Sequence, residues 1–236
     1  MTGRMRPEPN LVVAGMSLAD VKATMSYARV LLETLSAAPR GLLVDTRIAG
    51  LTIGAGHRIV APDGTLRDIP SDEQSRRTLK REVSSVETLM AELASGRSRH
   101  WRCDLAEGDI VSCACAAAQD EDILLLCQRP MLGFHGDVLL IGATGSHSAT
   151  VMATVRALAD ASAALVSEVR NDEKAAEVLE RVDRSRVAAI VVDLTVGPFT
   201  SEEDLRHLFS AARCPVVVIG ATRIKRPSAE TDAPRV

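Results

Sequence analysis

Gly142-Ala-Thr-Gly-Ser-His-Ser148 is the stretch whose residue types and spacing could do chemistry. It follows an apolar run, Val138 to Ile141, and precedes a stretch with Val151, Val155, Leu158 and Ala159 at helical spacing. Gly142 and Gly145 let a ligand come close to the backbone. The free N–H groups of a helix start favour an anion, and Thr144, Ser146 and Ser148 add hydroxyl donors. Two readings stand side by side: an anion or nucleotide contact, and a tight turn whose hydroxyl only caps the helix. The same letters form a Gly-x-x-Gly-x-x-Gly fingerprint with Ser148 in the third place, and Glu168 ends the next strand where a dinucleotide fold puts its ribose acid. A small NAD(P)-dependent reductase is the third choice. Only about ninety residues follow the loop, too few for a complete dinucleotide fold, and Tyr27, the one tyrosine, has no lysine four residues later.

Elsewhere the chemistry is thin. His147 could serve as a base, but no nucleophile pairs with it, and His57, His100, His135 and His207 offer no metal spacing. Cys103, Cys113, Cys115, Cys127 and Cys214 match no zinc pattern and read as small hydrophobes in a reducing compartment. Asp120-Glu-Asp122 reads as a solvated turn rather than a cation site. No nucleophile, base and orienting group can be picked together, so the expectation is a non-enzyme with no catalytic residues and no metal.

The elements that would hold the loop repeat. Leu11 to Ala14, a turn, a Ser17-capped amphipathic helix and Leu42 to Val44 make one strand-helix-strand start. Val138 to Ile141, the loop, a helix and Leu165 to Val169 make another. Pro39 and Gly41 read as the end of the first helix. His57 to Ile69 reads as a hairpin turning at Pro62-Asp-Gly64, inserted as a lid, a dimer edge or decoration. Ser71, with Gln74, opens a long helix striped by Leu79, Val83, Val86, Leu89, Met90 and Leu93. Arg99 to Cys103 reads as a strand, Ile110 to Ala118 as a helix and Ile123 to Cys127 as a strand. Asp172 and Ser201 read as caps of the last two helices, with Ala188 to Val192 and Pro215 to Ile219 as strands. Alternating strands and helices predict parallel sheets with helices on both faces.

Composition narrows the classes. Trp101, Tyr27, Phe134, Phe199 and Phe209 are all the aromatics, too few for a base-stacking surface, and the net charge of -3 argues against nucleic acid as partner. No apolar run reaches the length of a membrane span, and Met1 to Asn10 has no signal-peptide core, so no membrane partner and a cytoplasmic address are expected.

The Leu11–Ser17 opening, the strand ending in Val44-Asp45, Trp101-Arg102 followed by Glu107-Gly-Asp109, Asp120-Glu-Asp-Ile-Leu-Leu-Leu126, and above all Arg213-Cys-Pro-Val-Val-Val-Ile219 together resemble the universal stress protein superfamily in its tandem two-domain form. The resemblance implies an α/β fold of two universal-stress-protein-like units with mainly parallel sheets flanked by helices, adenine nucleotide alpha hydrolase-like and Rossmann-like. The units would span 10–130, with the hairpin inserted at about 48–70, and 137–222, before a disordered tail at 223–236. Each looks incomplete. The first lacks a closing strand of its own unless Val138–Ile141 supplies it, and the second lacks a third strand, so the two could complete one another. The ATP-binding members' first-strand Asp is replaced by Ala14-Gly-Met16 and Ala143-Thr144, and their Gly-x-x-Gly loop is absent from Gln128–Phe134 and Asp193–Phe199.

The resemblance therefore implies a non-catalytic binding or interaction module in stress response, with no cofactor. The alternative is a nucleotide-binding protein using Gly142, Thr144, Gly145, Ser146 and Ser148, for which ATP or another adenine nucleotide is the candidate. An unidentified protein partner is implied, and a homodimer is expected through the apolar last strand, Pro215–Ile219.

Overall fold

Each apolar run read as a strand is one, and the sheet they build decides where the loop lies. The computed structural model describes residues 8–46, 58–60, 66–68, 72–95, 100–127, 136–145, 147–170 and 172–224. The chain runs β1 (Asn10–Gly15), α1 (Leu18–Thr34), β2 (Ala38–Asp45), β3 (Arg58–Val60), β4 (Leu66–Asp68), α2 (Asp72–Ala94), β5 (Arg102–Glu107), α3 (Ile110–Ala117) and β6 (Ile123–Leu126). It continues through β7 (Asp137–Ile141), α4 (Ala149–Ser162), β8 (Val166–Glu168), α5 (Ala175–Arg184), β9 (Val187–Asp193), α6 (Glu202–Ala211), β10 (Val216–Ile219) and a 3-10 turn at Ala221–Arg223. β3 and β4 pair antiparallel as the expected hairpin, whose turn lies outside the described residues. So do Ser71, the expected cap of α2, and residues 225–236 of the expected tail.

The expectation of a separate sheet for each unit is corrected. One sheet holds eight strands in the order β5-β2-β1-β6-β10-β9-β7-β8. The first four run parallel to one another, and so do the last four. The halves meet antiparallel, with Val216 opposite Leu126 and Ile219 opposite Ile123. The reason lies in the missing closing strand. β6 ends the first half with an open edge, and β10, the last strand among the described residues, occupies it. Val138–Ile141 does not close the first half, because β7 sits between β9 and β8. With neighbours on both sides, β10 offers no edge for a homodimer, which removes the interface expected there.

Two cores sandwich the sheet. On one face Val21 and Leu31 of α1, Val86 and Met90 of α2, and Val155 and Leu158 of α4 pack together. On the other face lie Ile110 of α3, Val178 of α5, and Leu205 and Phe209 of α6. Buried side chains from both halves share each core, so neither half holds a core of its own. Tyr27 of α1 adds a polar tie. Its hydroxyl donates to the Ala188 carbonyl of β9 at 3.3 Å and lies 3.4 Å from Ser162 Oγ at the end of α4.

Local chemistry sets most element ends. Ser17, Asp109, Ser148 and Ser201 cap α1, α3, α4 and α6 through their side chains. Three local readings are corrected. Pro39 and Gly41 lie inside β2, and Gly41 is there because α2 packs down on it: a Cβ would meet Val86 Cγ1 at 2.9 Å. The strand read at Arg99–Cys103 is Arg102–Glu107, an edge strand whose half-covered faces blur the alternation. Lys174, not Asp172, holds the cap position of α5, because Asp172 is engaged by Arg170.

Candidate functional site

In a parallel half-sheet the ends of the strands leave a crevice where the chain departs in opposite directions. β7 and β9 are such a pair, and their C-terminal ends carry the Gly142–Ser148 loop and the Asp193–Phe199 loop. An open cleft of about 540 Å³ lies there, lined by Gly142, Ala143, Asp172, Glu173, Lys174, Ala175, Gly197 and Pro198. The two glycines bring the loops together. Gly197 has φ +119°, a left-handed value that favours glycine, and a Cβ on it would stand 3.0 Å from Gly142 Cα. Beneath Gly142 lies His147, whose Cε1 a Gly142 Cβ would meet at 2.8 Å.

Only part of the sequence-level site gathers at this cleft. Gly142 lines it. Thr144 is exposed and spends its hydroxyl on the Val169 carbonyl at 3.2 Å. Ser148 accepts from Val151 N at 3.2 Å as the cap of α4. Gly145 has φ +82° and faces open space, so its glycine answers the turn and not a ligand's approach. Ser146 lies outside the described residues. Glu168 ends β8 but does not line the cleft.

The charge of the cleft comes from residues that the sequence did not assign to a site. Arg170 holds Asp172 in a two-pronged pair at 2.7 and 3.0 Å, and that hydrogen-bonded guanidinium lowers the Asp172 carboxyl below its usual range. Glu173 accepts from Arg181 at 3.2 Å and from the Arg170 backbone at 2.9 Å. Arg181 is itself positioned by Ser167 Oγ at 2.6 Å. Both carboxylates are thus matched by a cation. Lys174 lines the same cleft, and among the described residues its ammonium has no counter-ion. Glu177 accepts from the Lys174 backbone N–H at 3.1 Å, so among the described residues Lys174 is the one cation of the lining whose side chain is not paired there.

Behind the glycines sits a buried polar pair. The Asp193 side chain is 1% exposed, and its Oδ1 accepts from Thr195 N at 3.0 Å and Thr195 Oγ1 at 2.5 Å. The His147 side chain is 5% exposed, with Nδ1 3.9 Å from Asp193 Oδ2. Among the described residues neither ring nitrogen has a hydrogen-bond partner. An unpaired buried imidazole is costly, and the reading of His147 as a possible base or, more simply, a solvent-facing residue is corrected to a buried side chain. Asp193 had a sequence signal, a carboxylate closing the apolar run Ala188–Val192. Lys174 and the paired arginines had none.

Other sequence-level candidates are structural. Asp122 is buried and accepts from Asn10 N, Asn10 Nδ2 and Gln119 N, so it is no solvated turn residue and ties the start of β1 to that of β6. Among the described residues no group of three metal-ligating side chains gathers. Cys115, Cys127 and Cys214 are buried, and burial pushes the Cys214 thiol up to about 12. Among the described residues no helix is long and apolar enough to cross a membrane.

No protein-family model matches the chain, and no curated protein matches it in sequence. Among solved structures it is similar to a universal stress protein from Archaeoglobus fulgidus DSM 4304, with 10% identity over 90% of this chain and 96% of that one and a TM-score of 0.42. It is also similar to the cytoplasmic domain of a prokaryotic cation chloride cotransporter, with 12% identity over 89% and 95% and a TM-score of 0.39. Superpositions this loose decide neither the fold nor a function.

Proposed function

We propose that the chain is a non-catalytic binding module that takes a small molecule with an anionic group in the cleft between Gly142, Gly197 and the start of α5. The charge balance of the wall carries this reading: Asp172 and Glu173 are each matched by an arginine, and Lys174 is left over. The ends of parallel strands and a glycine floor suit the same ligand. An adenine nucleotide is the first candidate, with Lys174 on a phosphate and the Gly142 and Gly197 backbones beneath it. The stress-protein character suggested by Arg213–Ile219 and the cytoplasmic address belong to this proposal. So do the two units at 10–130 and 137–222, for which the meeting of two parallel half-sheets at β6 and β10 is the support.

A second reading has its own observation. Thr144 and Ser148 spend their hydroxyls inside the protein, as a plain structural turn would. The module would then act through its surface with no small ligand. Thermal unfolding with added ATP, AMP, NADPH or inorganic phosphate separates the readings. A ligand at a hundred times its Kd adds about 2.7 kcal/mol and raises Tm. Stabilisation by ATP or AMP supports the nucleotide site, and stabilisation by NADPH alone supports the reductase. No shift with any of the four supports the ligand-free module.

A further inference from the structure

Among the described residues the sheet has two open ends, β5 and β8, and the β5 end is self-complementary. Among the described residues β5 has β2 as its one strand neighbour. Gly108 N–H donates to the Asp45 carbonyl at 3.0 Å. Alternation from that bond turns the amides of Arg102, Asp104 and Ala106 toward β2 and those of Cys103 and Leu105 outward. The side chains alternate too. Cys103 packs on the α2 face beside Gly41, Val86 and Met90, while Ala106 packs against the core of the opposite face. Trp101 and Leu105, at 41% and 48%, are two of the four large hydrophobics left exposed among the described residues.

We propose that β5 pairs antiparallel with β5 of a second copy of this chain, about a two-fold axis through Cys103. A two-fold axis normal to a sheet keeps each face on its own side, so it sets residues of the same face opposite each other. Centred on Cys103, it sets Trp101 opposite Leu105 twice on the α2 face and Arg102 opposite Asp104 twice on the other. Both contacts are complementary, apolar on one face and ionic on the other. Moving the axis to Asp104 sets two aspartates against each other. Moving it to Leu105 leaves Arg102 opposite Gly108, with no acid.

The ionic partners are prepared for this. Asp104 Oδ2 is held by Arg40 Nε at 2.6 Å, and Arg40 is anchored to the Ala117 carbonyl at 2.6 Å. That leaves Oδ1 with no partner among the described residues. Arg102 stands 3.8 Å from Asp104 Oδ2, too far for a hydrogen bond, with its side chain 48% exposed. The opposite end exposes Leu165 and Val166 but can form no ionic pair with its own copy: β8 is three residues long and carries a single charged residue, Glu168.

Sedimentation velocity on the full chain tests this, with Arg102→Glu, Leu105→Lys and the distant control Val166→Lys on β8. Far-UV circular dichroism checks that each variant is folded. The expected result is a particle of twice the chain mass, with the dimer Kd raised at least tenfold by Arg102→Glu and by Leu105→Lys and left alone by Val166→Lys. The two variants act on opposite faces, so one that fails to fold leaves the other as the test. A monomeric wild type at 100 µM (an order-of-magnitude ceiling for a working dimer) overturns the proposal. So does a dimer that a folded Arg102→Glu or Leu105→Lys leaves unchanged, or one that Val166→Lys breaks.

Discussion

Val217→Ala in β10 tests whether the two halves unfold as one. Val217 is 0% exposed and belongs to the core shared by α1, α2 and α4. Its substitution removes two methyl groups, roughly 1.6 kcal/mol of transfer free energy, and the cavity left behind brings the loss to about 2–3 kcal/mol. For a chain of this size that lowers Tm by roughly 4–12 °C. The readout is Trp101, the one tryptophan, which precedes β5 at the far end of the first half, whereas β10 comes from the end of the chain. Urea unfolding followed by Trp101 fluorescence and by far-UV circular dichroism should give coincident transitions in wild type and variant, both shifted by the same amount. A two-step curve, or a Trp101 transition that stays put while the circular dichroism moves, would refute the shared-sheet argument. The halves would then be independent domains that only touch.

Four further outcomes follow from particular contacts. Gly197→Ala should cost more stability than Gly145→Ala, because both positions have positive φ but only Gly197 would also press a Cβ on Gly142; melting temperatures of the two variants decide it. For Gly145→Ala the strain alone is about 1–2 kcal/mol. Ser148→Ala should lose about 1 kcal/mol as the cap of α4 goes, and Ser148→Asp should keep most of it, both read by chemical denaturation. Asp109 and Asp204 feel burial that raises their carboxyls, outweighed by hydrogen bonds from Ser112 and Arg206 and from Thr200 and Ser201, so both are held below the usual range. Their stabilisation is full above about pH 4 and is lost as pH falls through the lowered folded values. Asp204→Asn should therefore flatten the acid limb of a plot of denaturation midpoint against pH, and an unchanged slope would remove Asp204 from that account.

What the sequence made legible was periodic or capped. Leu11–Ala14, Ile123–Cys127 and Ala188–Val192 are short runs buried on both faces, and Ser17, Ser148 and Ser201 are caps that hydrogen-bond as their types predict. The β5 boundary was illegible because an edge strand carries Arg102, Asp104 and Glu107 where a central strand would carry valine. The single sheet was only half legible: the first half's missing strand was visible, but nothing local in Val216–Ile219 says which open edge it fills. In the candidate site the glycines announced the turn, yet the charge of the wall depends on Arg170 and Arg181 reaching Asp172 and Glu173. Ordinary surface residues acquire that meaning only through tertiary placement.

The central claim is that the wall of the β7–β9 cleft keeps one uncompensated cation, Lys174, for an anionic ligand. Isothermal titration of wild type and Lys174→Ala with ATP, AMP, NADPH and inorganic phosphate, at low and at physiological salt, addresses it most directly. The account predicts saturable binding of ATP or AMP to the wild type, weakened by salt and lost or reduced at least tenfold in a folded Lys174→Ala. Binding that Lys174→Ala leaves unchanged, or no binding of any of the four to the wild type, would contradict it.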